Sequence, residues 1–124
     1  MRLLLDTHAA LWWSADDPRL GGEADRLIGE SRNEILLSAV VVWEVAIKRG
    51  LGKLDAPADF GNLVLGRGAV GLPVTLAHAA AVADLPDHHR DPFDRLLVAQ
   101  AVAADATLIS RDPAFARYDV AVTW

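Results

Sequence analysis

Apolar positions along this chain fall into short unbroken runs that alternate with longer stretches of helical spacing. Leu3–Leu5 is such a run, as expected of a strand covered on both faces. Thr7–Ala15 has helical character, and Asp16-Asp17-Pro18 closes it with turn chemistry. Gly22–Ser31 shows helical spacing through Ala24, Leu27 and Ile28. The strand-like Glu34–Ser38, centred on Ile35-Leu36-Leu37, leads into a helix over Val40–Arg49 that Gly50 and Gly52 stop. Residues 57–68 are helical in pattern, with interruptions at Gly61 and Gly66. Val70–Val74 is a third strand despite Pro73, Leu76–Leu85 is an alanine-rich helix ended by Pro86, and Phe93–Ala104 is the clearest helix of the chain. Leu108-Ile109, within Thr107–Ser110, and Val120–Val122 complete the strands. Short strands alternating with helices of this length predict βαβ units. The fold class expected is therefore α/β, a three-layer α/β/α domain around a central parallel sheet of four or five strands.

The length of 124 residues fits one domain over 1–124, with one core. About half of the residues are apolar and under a quarter charged, an ordinary globular balance. There is no cysteine, which excludes disulfides and thiolate metal sites and suits a reducing cytoplasm. Three leucines before Asp6 fall far short of a signal-peptide core, and no stretch approaches the roughly 20 apolar residues of a membrane span. A soluble cytoplasmic protein without a membrane role is expected. The formal net charge of −5 argues against a surface coated in basic residues for nucleic acid. It leaves room for a nucleic-acid enzyme whose positive charge comes from bound metal ions.

Four acids change the picture. Asp6 ends the first apolar run, Glu44 lies one turn into the helix after the second strand, Asp94 opens the helix Phe93–Ala104, and Asp112 follows the strand-like Thr107–Ser110. In a parallel α/β sheet, strand ends and the helix starts that follow them share the edge where ligands bind. Each acid also has a local use: Asp6 as a helix N-cap, Asp112 as the cap of a turn at Pro113, and Glu44 as the i,i+4 partner of Lys48. Asp91-Pro92 is a helix start, with Asp91 as N-cap and proline at the first position. What the local uses leave unexplained is four acids at equivalent topological positions. Two unit charges 4 Å apart repel by about 4 kcal/mol at an effective dielectric near 20, so such carboxylates raise one another's pKa or take a cation. An all-carboxylate set suits Mg²⁺ or Mn²⁺ rather than zinc. Such ions polarise a phosphoryl oxygen and activate water, and phosphodiester hydrolysis is the chemistry that fits best.

Other polar residues carry less. Adjacent His88 and His89 point in different directions and have no third nitrogen or sulfur ligand at useful spacing; a loop role or a substrate contact is expected. His8 and His78 are no better placed as ligands. Lys48, Arg49 and Lys53 group at a helix end, where dipole compensation competes with holding RNA phosphates. Arg95 and Arg111 flank the acids, to orient phosphate or to pair with neighbours. Trp12, Trp13 and Trp43 are expected in the core, with one of the adjacent Trp12 and Trp13 edging onto a partner surface.

The segments LLLDTHAALWW, LSAVVVWEVAIKRGLGKL, HRDPFDRLLVAQA and LISRD, in this order, resemble the PIN-domain ribonucleases, and more narrowly the VapC-type toxins of bacterial toxin–antitoxin pairs. The resemblance runs from Leu3 to Trp124. It implies a PIN fold, an acidic pocket that binds Mg²⁺ or Mn²⁺, and endonucleolytic cleavage of RNA. By matching positions it implies Asp6, Glu44, Asp94 and Asp112 as the catalytic acids, with Asp6, Asp94 and Asp112 as direct metal ligands and Glu44 acting through a bound water. Asp91 matches a recurrent position. The resemblance also implies a homodimer and a cognate antitoxin whose tail fills the active-site groove, often with an arginine near the acids. One departure is Val41, where relatives often carry a serine hydroxyl before the Trp-Glu pair.

Three other readings compete. Phosphatases of the haloacid-dehalogenase type need a second aspartate two residues after the first, where this chain has His8. Signalling receiver domains use a lysine late in the chain, and the only lysines here are Lys48 and Lys53. A catalytically inert PIN scaffold that binds RNA or a protein partner has no need of all four acids.

Overall fold

A computed structural model describes residues 1–87 and 91–124. The expectations for His88 and His89 lie outside the described residues. Five strands form one parallel sheet: β1 (Arg2–Leu5), β2 (Glu34–Ser38), β3 (Val70–Leu72), β4 (Thr107–Ile109) and β5 (Val122–Thr123). Their order is β3-β2-β1-β4-β5. In register, Leu3 lies opposite Ile35 on one side and Thr107 on the other. The chain thus runs outward from β1 in one direction, then returns to β4 and runs outward in the other. The point of reversal, between β1 and β4, is where a sheet of this kind opens a crevice at its C-terminal edge.

The helices are α1 (Thr7–Ser14), α2 (Gly22–Gly29), α3 (Ala39–Gly50), α4 (Phe60–Gly66), α5 (Leu76–Ala81) and α6 (Pro92–Ala103), with 3₁₀ turns at Val82–Asp84 and Pro113–Arg117. Leu3, Leu4 and Leu5 are all fully buried, although successive side chains of a strand point to opposite faces. Both faces of the sheet are therefore covered, which is the three-layer α/β/α arrangement expected. α5 packs on α6, α6 on α3, and α1 on α3 and α4. Leu36, Leu37, Val98, Leu108, Ile109 and Phe115 carry the core between these layers.

Several boundaries differ from the sequence pattern for local reasons. β3 stops at Leu72 rather than Val74 because Pro73 has no N–H to give the ladder. The 57–68 helix shortens to Phe60–Gly66. The Leu76–Leu85 helix is α at first and tightens to 3₁₀ from Val82. The last strand shifts from Val120–Val122 to Val122–Thr123, because the Val120 N–H is taken by the Tyr118 carbonyl. Of the two glycines expected to stop α3, Gly52 adopts the left-handed conformation (φ +70°), and Gly50 stays helical. Trp12 and Trp13 are both buried, against the expectation that one edges outward. Trp43, expected in the core, is 56% exposed and packs edge-on against Phe93.

Candidate active site

Asp6 leaves β1 at the point of reversal. Its N–H still donates to the Ile109 carbonyl (3.1 Å), so the carboxylate is fixed at the sheet edge between β1 and β4. As N-cap of α1 it accepts the Ala9 N–H at 2.8 Å. Burial pushes its pKa up, while hydrogen bonds from Ser110 and Ala9 pull it down. Ser110 is itself buried at the end of β4.

Glu44, in the second turn of α3, is 6% exposed and is the one buried charged residue among those described. A carboxylate buried there needs hydrogen-bond partners for both oxygens. Thr7 donates its hydroxyl to one oxygen, and the Lys48 ammonium donates to the other at 2.5 Å. The i,i+4 pair expected within α3 is thus present, and it acts inside the cleft rather than on an open helix face. Lys48 is pushed up, first by this hydrogen bond. The hydroxyl that Val41 lacks is supplied by α1 instead, and Val41 joins the core.

Asp91 caps α6 as expected, accepting the Phe93 N–H (2.9 Å) and the Asp94 N–H (3.3 Å). Asp94 follows at the third helical position, where the helix dipole favours negative charge. Its pKa is nevertheless pushed up to about 7, first by burial and then by the charges of Asp91, Glu44, Asp112 and Asp6. Asp112 caps the 3₁₀ turn at Pro113, accepting the Ala114 N–H at 2.9 Å. Every capping use foreseen for the acids is realised, and none removes the acid from the edge.

Asp6, Glu44, Asp91, Asp94 and Asp112 line one cleft of about 400 Å³, together with Thr7, Lys48 and Arg111. The acids thus converge from the ends of β1 and β4 and the starts of α3 and α6. Among the described residues no three histidine, aspartate or glutamate side chains stand close enough to enclose an ion by themselves. Mg²⁺ and Mn²⁺ keep several waters, so carboxylates that do not themselves enclose an ion still suit them. The acids offer oxygen donors, with the His8 ring also on the cleft wall, and Asp94 is held up first by burial and then by its acidic neighbours, whose charge a cation would relieve. The residues present fit a hydrated divalent ion.

Two orienting hydroxyls, Thr7 on Glu44 and Ser110 on Asp6, were not singled out from the sequence. Their signal was adjacency: Thr7 follows the acid after β1, and Ser110 follows β4 just before Arg111-Asp112. Of the two roles expected of Arg95, pairing with neighbours is the one seen. It donates to the carbonyls of Pro86 (2.8 Å) and Val82 (3.1 Å) and ties the α5–α6 connection down. Arg49 holds the Ala56 carbonyl (2.8 Å), and His78 closes a capping box with Thr75. No helix among the described residues is long and apolar enough to cross a membrane.

Comparison with known proteins agrees with this geometry. The PIN domain profile matches residues 3–121. Ribonuclease VapC22 of Mycobacterium tuberculosis (strain ATCC 25618 / H37Rv) is 31% identical over 113 residues, covering 89% of this chain and 86% of the relative. The structure of VapBC2 from Rickettsia felis, bound to a DNA fragment from their promoter, matches with a TM-score of 0.74 at 17% identity, over 99% of this chain and 98% of that one. FitAcB from Neisseria gonorrhoeae matches with a TM-score of 0.65 at 23% identity, over 98% and 96%. With its parallel five-stranded sheet and its acids at the reversal point, this chain belongs to the PIN-domain family, in the branch of the VapC-type ribonucleases.

Proposed function

We propose that this chain is a metal-dependent RNA endonuclease, the toxin of a toxin–antitoxin pair, which hydrolyses phosphodiester bonds in the acidic cleft. The observation that carries the reading is the convergence of Asp6, Glu44, Asp94 and Asp112 from four separate elements onto one cleft. Burial and the neighbouring acids raise Asp94, which gives a cation a reason to bind. Asp6, Asp94 and Asp112 are the residues that would hold Mg²⁺ or Mn²⁺. The bound ion supplies polarisation of a phosphoryl oxygen and activation of a water for in-line attack.

The chain's own residues do the rest. Ser110 and the Ala9 N–H fix the plane of the Asp6 carboxylate. Thr7 and Lys48 fix Glu44, so that it faces the site from the α3 side and acts through water rather than as a direct ligand. Asp94, held up to about 7 by burial and its acidic neighbours, would give up its proton on holding a cation. Likeness to VapC22 and to the VapBC and FitAcB assemblies supports a protein antitoxin as the partner and RNA as the substrate. A homodimer belongs to the same reading. The purified chain should cleave RNA with Mg²⁺ or Mn²⁺ and stop with EDTA. Removing an outer partner of a metal ligand typically costs 10–100-fold, so Asp6→Asn, which removes a ligand, should cost more than about a hundredfold. Undiminished cleavage by Asp6→Asn would falsify the reading.

A further inference from the structure

A second groove, of about 460 Å³, adjoins the acidic cleft and shares His8 and Arg111 with it. The volume lies in the range of small-ligand sites. Leu54, Pro57 and Leu63 give it apolar walls. Beneath the shared rim lies the buried Trp12 ring, with the Arg111 guanidinium 4.5 Å and the His8 ring 5.3 Å from it. Arg19 sits 5.0 Å from the same ring but is tied to Asp17 at 2.8 Å. Among the described residues no ion pair involves Arg111, and it is exposed. Its guanidinium lies over the indole at the mouth of both cavities. Asp17 and Asp55 offset the charges of Arg19 and Arg111 along the groove, so it holds no strong field for a phosphate chain. A planar cation beside apolar walls instead suits an unpaired base, which stacks on guanidinium planes and aromatic rings.

We propose that this groove takes one unpaired nucleobase of the RNA, next to the phosphodiester seated in the acidic cleft, with Arg111 as the plane on which it stacks. The proposal rests on the nuclease reading and adds a subsite to it. The test uses the full chain made inactive by Asp94→Asn, and short single-stranded RNAs in which one nucleotide at a time is abasic. Affinity is read by fluorescence anisotropy. One abasic position should weaken binding about tenfold, within the range for a single stacked base. Adding Arg111→Ala should weaken intact RNA by the same factor and abolish the abasic effect. Arg111→Lys should behave like Arg111→Ala, since an ammonium offers no plane. Leu63→Gln, on the apolar side, should reproduce the result without disturbing Trp12. The Mn²⁺-dependent rise in melting temperature should persist in an Asp94-intact Arg111→Ala chain.

A flat abasic scan overturns the proposal, as does Arg111→Lys binding RNA like its parent, or Arg111→Ala weakening only a protein antitoxin. If the parent chain with Mn²⁺ neither binds nor cleaves RNA, the nuclease reading falls too. If it binds RNA without regard to Arg111, only the subsite falls.

Discussion

Asp94→Asn should stabilise the metal-free chain at alkaline pH while it removes the activity. Burial and four neighbouring acids push the Asp94 carboxyl from its ordinary 3.8 to about 7. In the unfolded chain an aspartate ionises near pH 4, so folding takes up a proton between about pH 4 and pH 7. The native state binds more protons than the unfolded one in that window, and stability falls as pH rises through it. Below about pH 4 the penalty is absent, and above about pH 7 it is complete. At 1.36 kcal/mol per pH unit the displacement corresponds to about 4 kcal/mol at most. Asp94 is partly open to solvent, and screening reduces this to about 2 kcal/mol. Asparagine keeps the shape and carries no charge. In a domain of this size, about 2 kcal/mol moves the melting temperature by roughly 8 °C. With EDTA at pH 8 the variant should melt higher than the parent by that amount, and at pH 5 by less than half of it. Mn²⁺ at 100 times its dissociation constant should raise the parent by about 2.7 kcal/mol and close the gap. Differential scanning calorimetry at the two pH values, with and without Mn²⁺, measures all of this. A gap of equal size at pH 5 and pH 8, or a variant that melts below the parent in EDTA at pH 8, would refute the electrostatic account.

Thr7→Val removes the donor to a buried carboxylate oxygen; it should cost about 1–3 kcal/mol in stability and roughly 10–100-fold in cleavage, with Thr7→Ser restoring both. Gly21→Ala would place a methyl 2.6 Å from the Trp124 backbone and indole. It should destabilise by about 1–3 kcal/mol in urea unfolding and also slow cleavage, because Trp124 lines the acidic cleft; unchanged unfolding would show that the C-terminal residue yields freely.

Much of this protein was legible in one dimension because the signals were local. Leu3-Leu4-Leu5 and Ile35-Leu36-Leu37 are unbroken apolar runs, and only strands covered on both faces need such runs. Asp91-Pro92 states a helix start in two residues, and Asp91 caps α6. The acids were legible for the same reason: each follows a strand, opens a helix or lies one turn into it, and parallel topology sends those positions to one edge. Less legible were elements with weak local signals. α4 carries two glycines, α5 buries nothing, and β5 pairs through two residues whose register depends on β4. Trp43 shows the limit most clearly, since a large aromatic ring gives no sign in the sequence of whether another layer will cover it.

By itself the sequence determined the fold class, the alternation of layers and the residue types able to carry chemistry, because periodicity, capping and composition act over a few neighbouring residues. Only the tertiary structure decided how those groups are held. Thr7 reaches Glu44 across 37 positions, Ser110 meets Asp6, and Arg111 lies over Trp12 between two cavities. It also decided the burial of Asp94 and the nearness of the other acids, which together push it to about 7. Such effects depend on distance through space and on burial, and neither is set until the layers have packed.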